Sequence, residues 1–212
     1  MESAAERKAS LRAEVWRRRR AMSPEERAVA AALIATHGLE WAASTVPARG
    51  TLTAYLGVGA EPPTLALLGL LVQDGFHVLL PVCEPERQLS WVEWHPDAEY
   101  ARSRYAPIQE PVGPRLDARA VRTGAASRPP LSAVLLPATA VDAEGRRLGQ
   151  GGGYYDRFLA RLDDGGALPA TAAIVYDGEV LASGGVPEEA FDRHVGAALT
   201  PSGLLRLGSP GE

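Results

Sequence analysis

The sequence predicts an α/β fold built on a mostly parallel sheet that helices cover on both faces. Three observations carry this. Short apolar runs alternate with helical segments, the alternation continues almost to the carboxyl end, and 212 residues suffice to bury a substantial core without disulfides. Residues 4–43 are rich in Ala, Arg, Glu and Leu and predict two helices, broken near Met22. Ser23, Pro24 and Glu26 open the second one, supplying a capping hydroxyl, a proline at the first helical position and an acid at the third. Strands are predicted at residues 52–56, 77–82, 89–94, 133–137 and 172–176, with a weaker one at 197–199. Between the first two strands, residues 64–74 place Leu67, Leu68 and Leu71 at helical spacing. The stretch TGAASRPP at residues 123–130 is a loop by composition. The apolar run beyond it resumes the alternation, so one domain is expected over residues 1–212. Residues 208–212 are expected to fray.

The totals exclude several classes of function. A net charge of −4 argues against a general nucleic-acid coat. The single cysteine, Cys83, lies inside the apolar run VLLPVC, which favours a buried structural thiol over a nucleophile and fits a reducing, cytoplasmic setting. The first twenty residues carry charges where a signal peptide needs an apolar stretch, and no run approaches eighteen apolar residues, so neither export nor a membrane partner is expected. His37, His77, His95 and His194 show no close pairing, which leaves little support for a zinc site. Neither a GxSxG elbow nor a Cys–His context appears, so covalent serine or cysteine catalysis is not indicated.

Chemistry concentrates in RRLGQGGGYYDRFL, residues 146–159. Gly149, Gly151, Gly152 and Gly153 lack a Cβ, so their amides can turn toward an anion at dihedrals closed to other residues. The segment that follows has Phe158, Leu159 and Leu162 on one side and Arg157 and Arg161 on the other, and its amino end would add a positive dipole. Two readings stand: a phosphate site, or a plain turn joining strand to helix. The run matches neither the GxxxxGK[ST] fingerprint nor, in full, GxGxxG. Flanking arginines favour the first reading, because a guanidinium meets phosphate oxygens as a planar fork. Lys8 and Arg12 stand at i and i+4, so both cations leave one face of the first helix, where they are either solvated surface or a polyphosphate clamp. Arg17, Arg18, Arg19 and Arg20 point all round the helix and read as a solvated end rather than a nucleic-acid face. Asp156 either favours the helix start by facing its positive end or ligates Mg²⁺ beside a phosphate, with Asp192 as a second oxygen donor from another loop.

Four segments in order give the chain a resemblance: KASLR at residues 8–12, AYLGVGAEPPT at 54–64, RLGQGGGYYDRFL at 147–159 and VPEEAFDRHV at 186–195. With these the chain resembles the 5-formyltetrahydrofolate cyclo-ligase family, also called 5,10-methenyltetrahydrofolate synthetase. The resemblance implies a three-layer α/β sandwich related to sugar-phosphate isomerases and CoA transferases. It also implies ATP- and Mg²⁺-dependent conversion of 5-formyltetrahydrofolate into 5,10-methenyltetrahydrofolate, with ADP and phosphate released, by a cytoplasmic monomer. On this resemblance ATP is held by Lys8, Ala9, Ser10, Leu11, Arg12, Arg147, Leu148, Gly149, Gln150, Gly151, Gly152, Gly153, Tyr154 and Tyr155. The folate meets Arg12, Leu56, Glu61, Gln150, Gly151, Gly152, Gly153 and Tyr154, and the metal meets Asp156 and Asp192. Lys8 and Arg147 are the expected catalytic cations. Many relatives carry an aromatic residue where Val141 stands and Tyr or Arg where Gln150 stands; the second departure falls in the glycine loop and bears on ligand affinity. Alternatives are an ATP-independent enzyme on the same scaffold, of sugar-phosphate isomerase or CoA-transferase type, and a non-catalytic folate or nucleotide sensor. Replacing Lys8 or Arg147 by Ala is expected to weaken ATP binding with little thermal cost.

Overall fold

The computed structural model of the chain describes residues 3–163 and 168–208; the tail expected to fray lies, beyond Gly208, outside the described residues. Two helices open the chain, α1 (Ala4–Ala21) and α2 (Pro24–Thr45), and the break between them falls at Met22 and Ser23. Each begins with a capping box: Ser3 with Glu6, and Ser23 with Glu26. Then follow β1 (Thr51–Thr53), α3 (Leu65–Gln73), β2 (His77–Glu84), β3 (Gln88–Glu93), β4 (Tyr100–Arg102) and β5 (Gln109–Pro111). The second half holds α4 (Ala118–Thr123), β6 (Leu131–Pro137), β7 (Ala140–Asp142), β8 (Arg147–Leu148), α5 (Tyr154–Leu162), β9 (Ala170–Ile174), β10 (Val180–Leu181), β11 (Ala197–Thr200) and β12 (Gly203–Arg206).

Seven strands form the main sheet in the order β12-β11-β9-β6-β1-β2-β3. The five in the middle run parallel, and an antiparallel strand closes each edge. Register places Leu52 opposite Val78 on one side and Ala133 on the other. Burial follows the two-residue period of a strand. Val78, Leu80, Ala133, Leu135, Ala172, Ile174, Ala197 and Leu199 face a core that α2 and α3 complete with Ile34, Trp41, Leu67, Leu68 and Leu71. The alternating residues Leu79, Val134, Leu136, Ala173, Val175 and Ala198 face a second core with Val121 of α4 and Phe158, Leu159 and Leu162 of α5. A sheet buried on both faces needs apolar residues at consecutive positions, and this explains why the central strands read as unbroken apolar runs.

The first strand is shorter than expected. It ends at Thr53, and residues 54–63 form a loop in which a Cβ on Gly57 would come within 2.3 Å of the Pro62 carbonyl oxygen. This loop carries Leu56, which packs on the core under the sheet, and Glu61. α4, the β4–β5 hairpin and the edge strand β12 were not legible, because the first two are short and the third is mostly exposed.

Arg19 overturns the solvated reading of the arginine run. Arg17, Arg18 and Arg20 are exposed, but Arg19 is 1% exposed. It forms a two-pronged ion pair with Glu179, Nε to Oε1 at 2.7 Å and Nη2 to Oε2 at 2.6 Å, and also donates to the Ala138 carbonyl. Its guanidinium lies over the rings of Trp16 and Tyr176 at 5.5 and 5.7 Å. Among the described residues of α1, Lys8, Val15 and Arg19 are the buried ones, so polar ties do much of the work of holding this helix down.

Candidate active site

A cavity of about 990 Å³ opens at the carboxyl ends of β1, β2 and β6, where Tyr55, Cys83 and Pro137 join its wall. This is where ligands enter open α/β sheets, because successive loops leave a crevice beyond the strand ends. Antiparallel pairing of β8 with β7 fixes Arg147 at the start of the glycine loop. Gly151 (φ +94°) and Gly153 (φ +69°) take the left-handed region, and Gly153 starts α5 without a side chain to cap it. The first-turn N–H groups of α5 are therefore left without a side-chain acceptor, as an anion site requires.

Lys8 and Arg12 reach the same cavity from α1. Arg12 Nε donates to the Gly149 carbonyl at 2.8 Å. Lys8, 5% exposed, is held by Glu189 at 2.7 Å and Asp192 at 2.6 Å, both from the loop before β11. Burial by itself would lower the Lys8 ammonium, but hydrogen bonds to Asp192 and Glu189 outweigh it and the net shift is upward. Arg147 Nη2 pairs with Asp156 Oδ1 at 2.8 Å, and its Nη1 donates to the Pro137 carbonyl. Asp156 Oδ1 also accepts the Arg193 amide at 3.2 Å. Lys8 and Arg147, two of the cations expected to grip phosphate, are thus each paired with a carboxylate expected to grip metal, Asp192 and Asp156. Either cation, if removed, would leave its carboxylate uncompensated, so the small thermal cost expected from sequence does not follow.

The structure brings Lys8, Arg12, Leu56, Glu61, Arg147, Leu148, Gly149, Gln150, Gly151, Gly152, Gly153, Tyr154, Tyr155, Asp156 and Asp192 onto one cavity. Ala9, Ser10 and Leu11 are not part of its lining: the first two are exposed, and Leu11 packs on Ala140, Leu148 and Val186. Among the described residues no group of three or more His, Cys, Asp or Glu gathers that could hold a metal by itself. Cys83 is buried, and desolvation followed by the neighbouring Glu110 charge pushes its thiol up to about 12, as befits a structural thiol.

Some site residues escaped the sequence reading. Trp16 Nε1 donates to Gln150 Oε1 at 3.0 Å, and Gln150 Nε2 donates to Glu61 Oε1 at 3.3 Å, so one amide links α1 to the loop after β1. Trp16 stands four residues beyond Arg12 and eight beyond Lys8, the same helical face, and that spacing was the available signal. Tyr100, Tyr105 and Ile108 reach the cavity from the β4–β5 hairpin and carried no signal.

Glu61 gives a pH-dependent stability that can be signed. Burial raises its carboxyl above 4.5, and the Val58 amide, the Arg19 charge and the Gln150 side chain only partly oppose this. From 4.5 up to the raised value the folded chain keeps a proton that the unfolded chain has released, so stability falls as pH rises through that window. Urea midpoints measured from about pH 4 to pH 7 should show the wild type losing ground to Glu61→Gln. A constant difference between the two would contradict the assignment.

The fold and the site define an α/β enzyme with cations, a glycine loop and an uncapped helix start gathered at one sheet end. The family follows from comparison: the model of the 5-formyltetrahydrofolate cyclo-ligase family matches residues 4–201, and the chain belongs to that family. It is 34% identical over 163 residues to the 5-formyltetrahydrofolate cyclo-ligase of Mycolicibacterium smegmatis, covering 74% of this chain and 77% of that one. To the enzyme of the same name from Escherichia coli K12 it is 32% identical over 190 residues, covering 89% and 97%. The NMR structure of Aquifex aeolicus 5,10-methenyltetrahydrofolate synthetase superposes with a TM-score of 0.72 over 97% of this chain and 95% of that one, at 24% identity, and shares the fold.

Proposed function

We propose that this chain is a single-domain, monomeric 5-formyltetrahydrofolate cyclo-ligase, acting in the cytoplasm, that uses ATP and Mg²⁺ to close 5-formyltetrahydrofolate into 5,10-methenyltetrahydrofolate. One observation carries the reading: Lys8 and Arg12 from α1 and Arg147 beside the glycine loop face one cavity. A formamide oxygen is a poor leaving group. Transfer of the γ-phosphoryl group to that oxygen, with ADP departing, makes the formyl carbon an electrophile; N10 then attacks it and phosphate leaves with the oxygen. Such chemistry asks for positioning and charge stabilisation rather than a covalent enzyme intermediate.

In this reading Lys8 and Arg147 neutralise the charge of the phosphoryl group in transit, and Arg12 steadies the loop through the Gly149 carbonyl. The uncapped amides at the start of α5 would take phosphate oxygens. Asp156 and Asp192 fit Mg²⁺, which favours one or two carboxylates and completes its shell with phosphate and water. When bound, the cation would offset phosphate charge. Phosphate would draw Lys8 and Arg147 from the carboxylates they now hold, freeing those oxygens.

The test mixes folded protein with ATP, Mg²⁺ and 5-formyltetrahydrofolate and follows the methenyl-folate absorbance. An ATP-dependent rise is expected. No rise, or the same rise without ATP, would remove the proposal and leave the sensor or an ATP-independent enzyme.

A further inference from the structure

Phe191 is the most exposed large apolar side chain among the described residues, at 89%. Single apolar residues on a surface need no explanation, but this one belongs to the wall of the cavity. Its chain neighbours show how it is held there. Glu189 and Asp192 close a four-residue turn: the Asp192 amide donates to the Glu189 carbonyl at 3.0 Å, and the Glu189 amide donates to Asp192 Oδ2 at 2.8 Å. Ala190 and Phe191 form its tip. Lys8 Nζ pairs with both residues at the base, Glu189 at 2.7 Å and Asp192 at 2.6 Å. One buried ammonium therefore pins both ends of the turn, and Phe191 stands within a turn's width of a cation that faces the cavity.

The charged side chains beside this turn are engaged. Glu188 Oε1 meets His194 Nε2 at 2.6 Å, and Arg193 Nη1 meets Asp163 at 3.4 Å. Phe191 keeps its ring in water. Folding gains little from it, because a side chain so exposed buries almost no area and a smaller residue would serve the turn as well. A phenyl ring offers nothing to a phosphate, which needs donors and positive charge. Its face suits another flat π-system. A nucleotide carries both kinds of group: phosphates for Lys8, Arg147 and the glycine loop, and a base one ribose away from them. Leu56 and Glu61, the residues expected to meet folate, lie on the loop after β1 rather than on this turn.

We propose that Phe191 is the platform on which the base of the bound nucleotide stacks, set at the cavity rim by the turn that Lys8 pins. The assignment rests on the cyclo-ligase reading, in which that nucleotide is ATP. It makes the loop before β11 a binding element for the base as well as the holder of Lys8.

The test titrates the β,γ-imido analogue of ATP with Mg²⁺ and, separately, 5-formyltetrahydrofolate into wild type, Phe191→Ala and Phe191→Tyr by calorimetry, with a thermal melt of each unliganded protein. Phe191→Ala should bind the nucleotide analogue about tenfold more weakly, the usual loss when an aromatic platform is removed from a base. Phe191→Tyr keeps a flat ring and should stay within about threefold of wild type. Folate affinity should stay within about twofold in both, and the melting temperature within about 2 °C, as for a surface substitution. Nucleotide affinity of Phe191→Ala within twofold of wild type overturns the proposal. So does an equal loss in Phe191→Tyr, or a loss of folate affinity in place of nucleotide affinity. If wild type binds no nucleotide, the functional reading fails as well; if it binds nucleotide and turns over folate while Phe191→Ala matches it, only this inference fails.

Discussion

Lys8→Ala and Arg147→Ala are each expected to lower kcat/KM for ATP by about two to three orders of magnitude, the usual loss when one preorganised group that stabilises transition-state charge is removed. Both side chains are nearly buried, so water cannot readily stand in for them. Both should also cost stability. Lys8→Ala leaves Glu189 and Asp192 close together with no counter-charge, and Arg147→Ala strands Asp156 and the Pro137 carbonyl. Those carboxylates are partly exposed, so the loss should be about 1–2 kcal/mol rather than the full cost of a buried pair. Steady-state kinetics well below the melting temperature separates the two effects. Activity within tenfold of wild type would remove these cations from the chemistry.

Glu179→Ala is expected to be the most damaging change remote from the glycine loop, at about 3–5 kcal/mol, because it leaves the Arg19 guanidinium buried and unpaired. It also deprives the Tyr176 amide of its acceptor. For a chain of this size the melting temperature should fall by roughly 6–20 °C. Replacing both partners by methionine should recover most of the loss, since no charge then stays buried. Urea unfolding of the single and double variants checks this, and a single-variant loss below about 1 kcal/mol would refute it.

Much of the architecture could be read from residue order because a doubly covered sheet writes itself as consecutive apolar residues. Val134, Leu135 and Leu136 are fully buried in sequence, as are Ala172, Ala173 and Ile174, and each run lies within a central parallel strand. What escaped lacks that signature. The β4–β5 hairpin pairs three residues with three, and Tyr100, Ala101 and Arg102 are all exposed. Gly149 to Asp156 stood out as a candidate site because flanking arginines favoured a phosphate loop over a plain turn, whereas Tyr55 in the cavity wall and Arg19 outside it gave no such signal. Nothing local separates Arg19 from Arg18 or Arg20; its partner Glu179 is 160 positions away, and only the assembled fold makes one arginine of the run a buried ion. Tyr55 reads as an ordinary strand-end aromatic until its hydroxyl is found buried without an acceptor.

The way α1 is fastened has a consequence for how the molecule responds to salt. Its ties are the Lys8 pairs, Arg12 to Gly149, Trp16 to Gln150, and Arg19 to Glu179. Dissolved ions reach the rim contact at Glu189 far more readily than the sealed contact at Glu179. Concentrated electrolyte should therefore weaken the hold of Glu189 on Lys8 before it touches the Arg19 pair, so that, on the proposed function, nucleotide binding and folding are expected to carry separate ionic-strength tolerances.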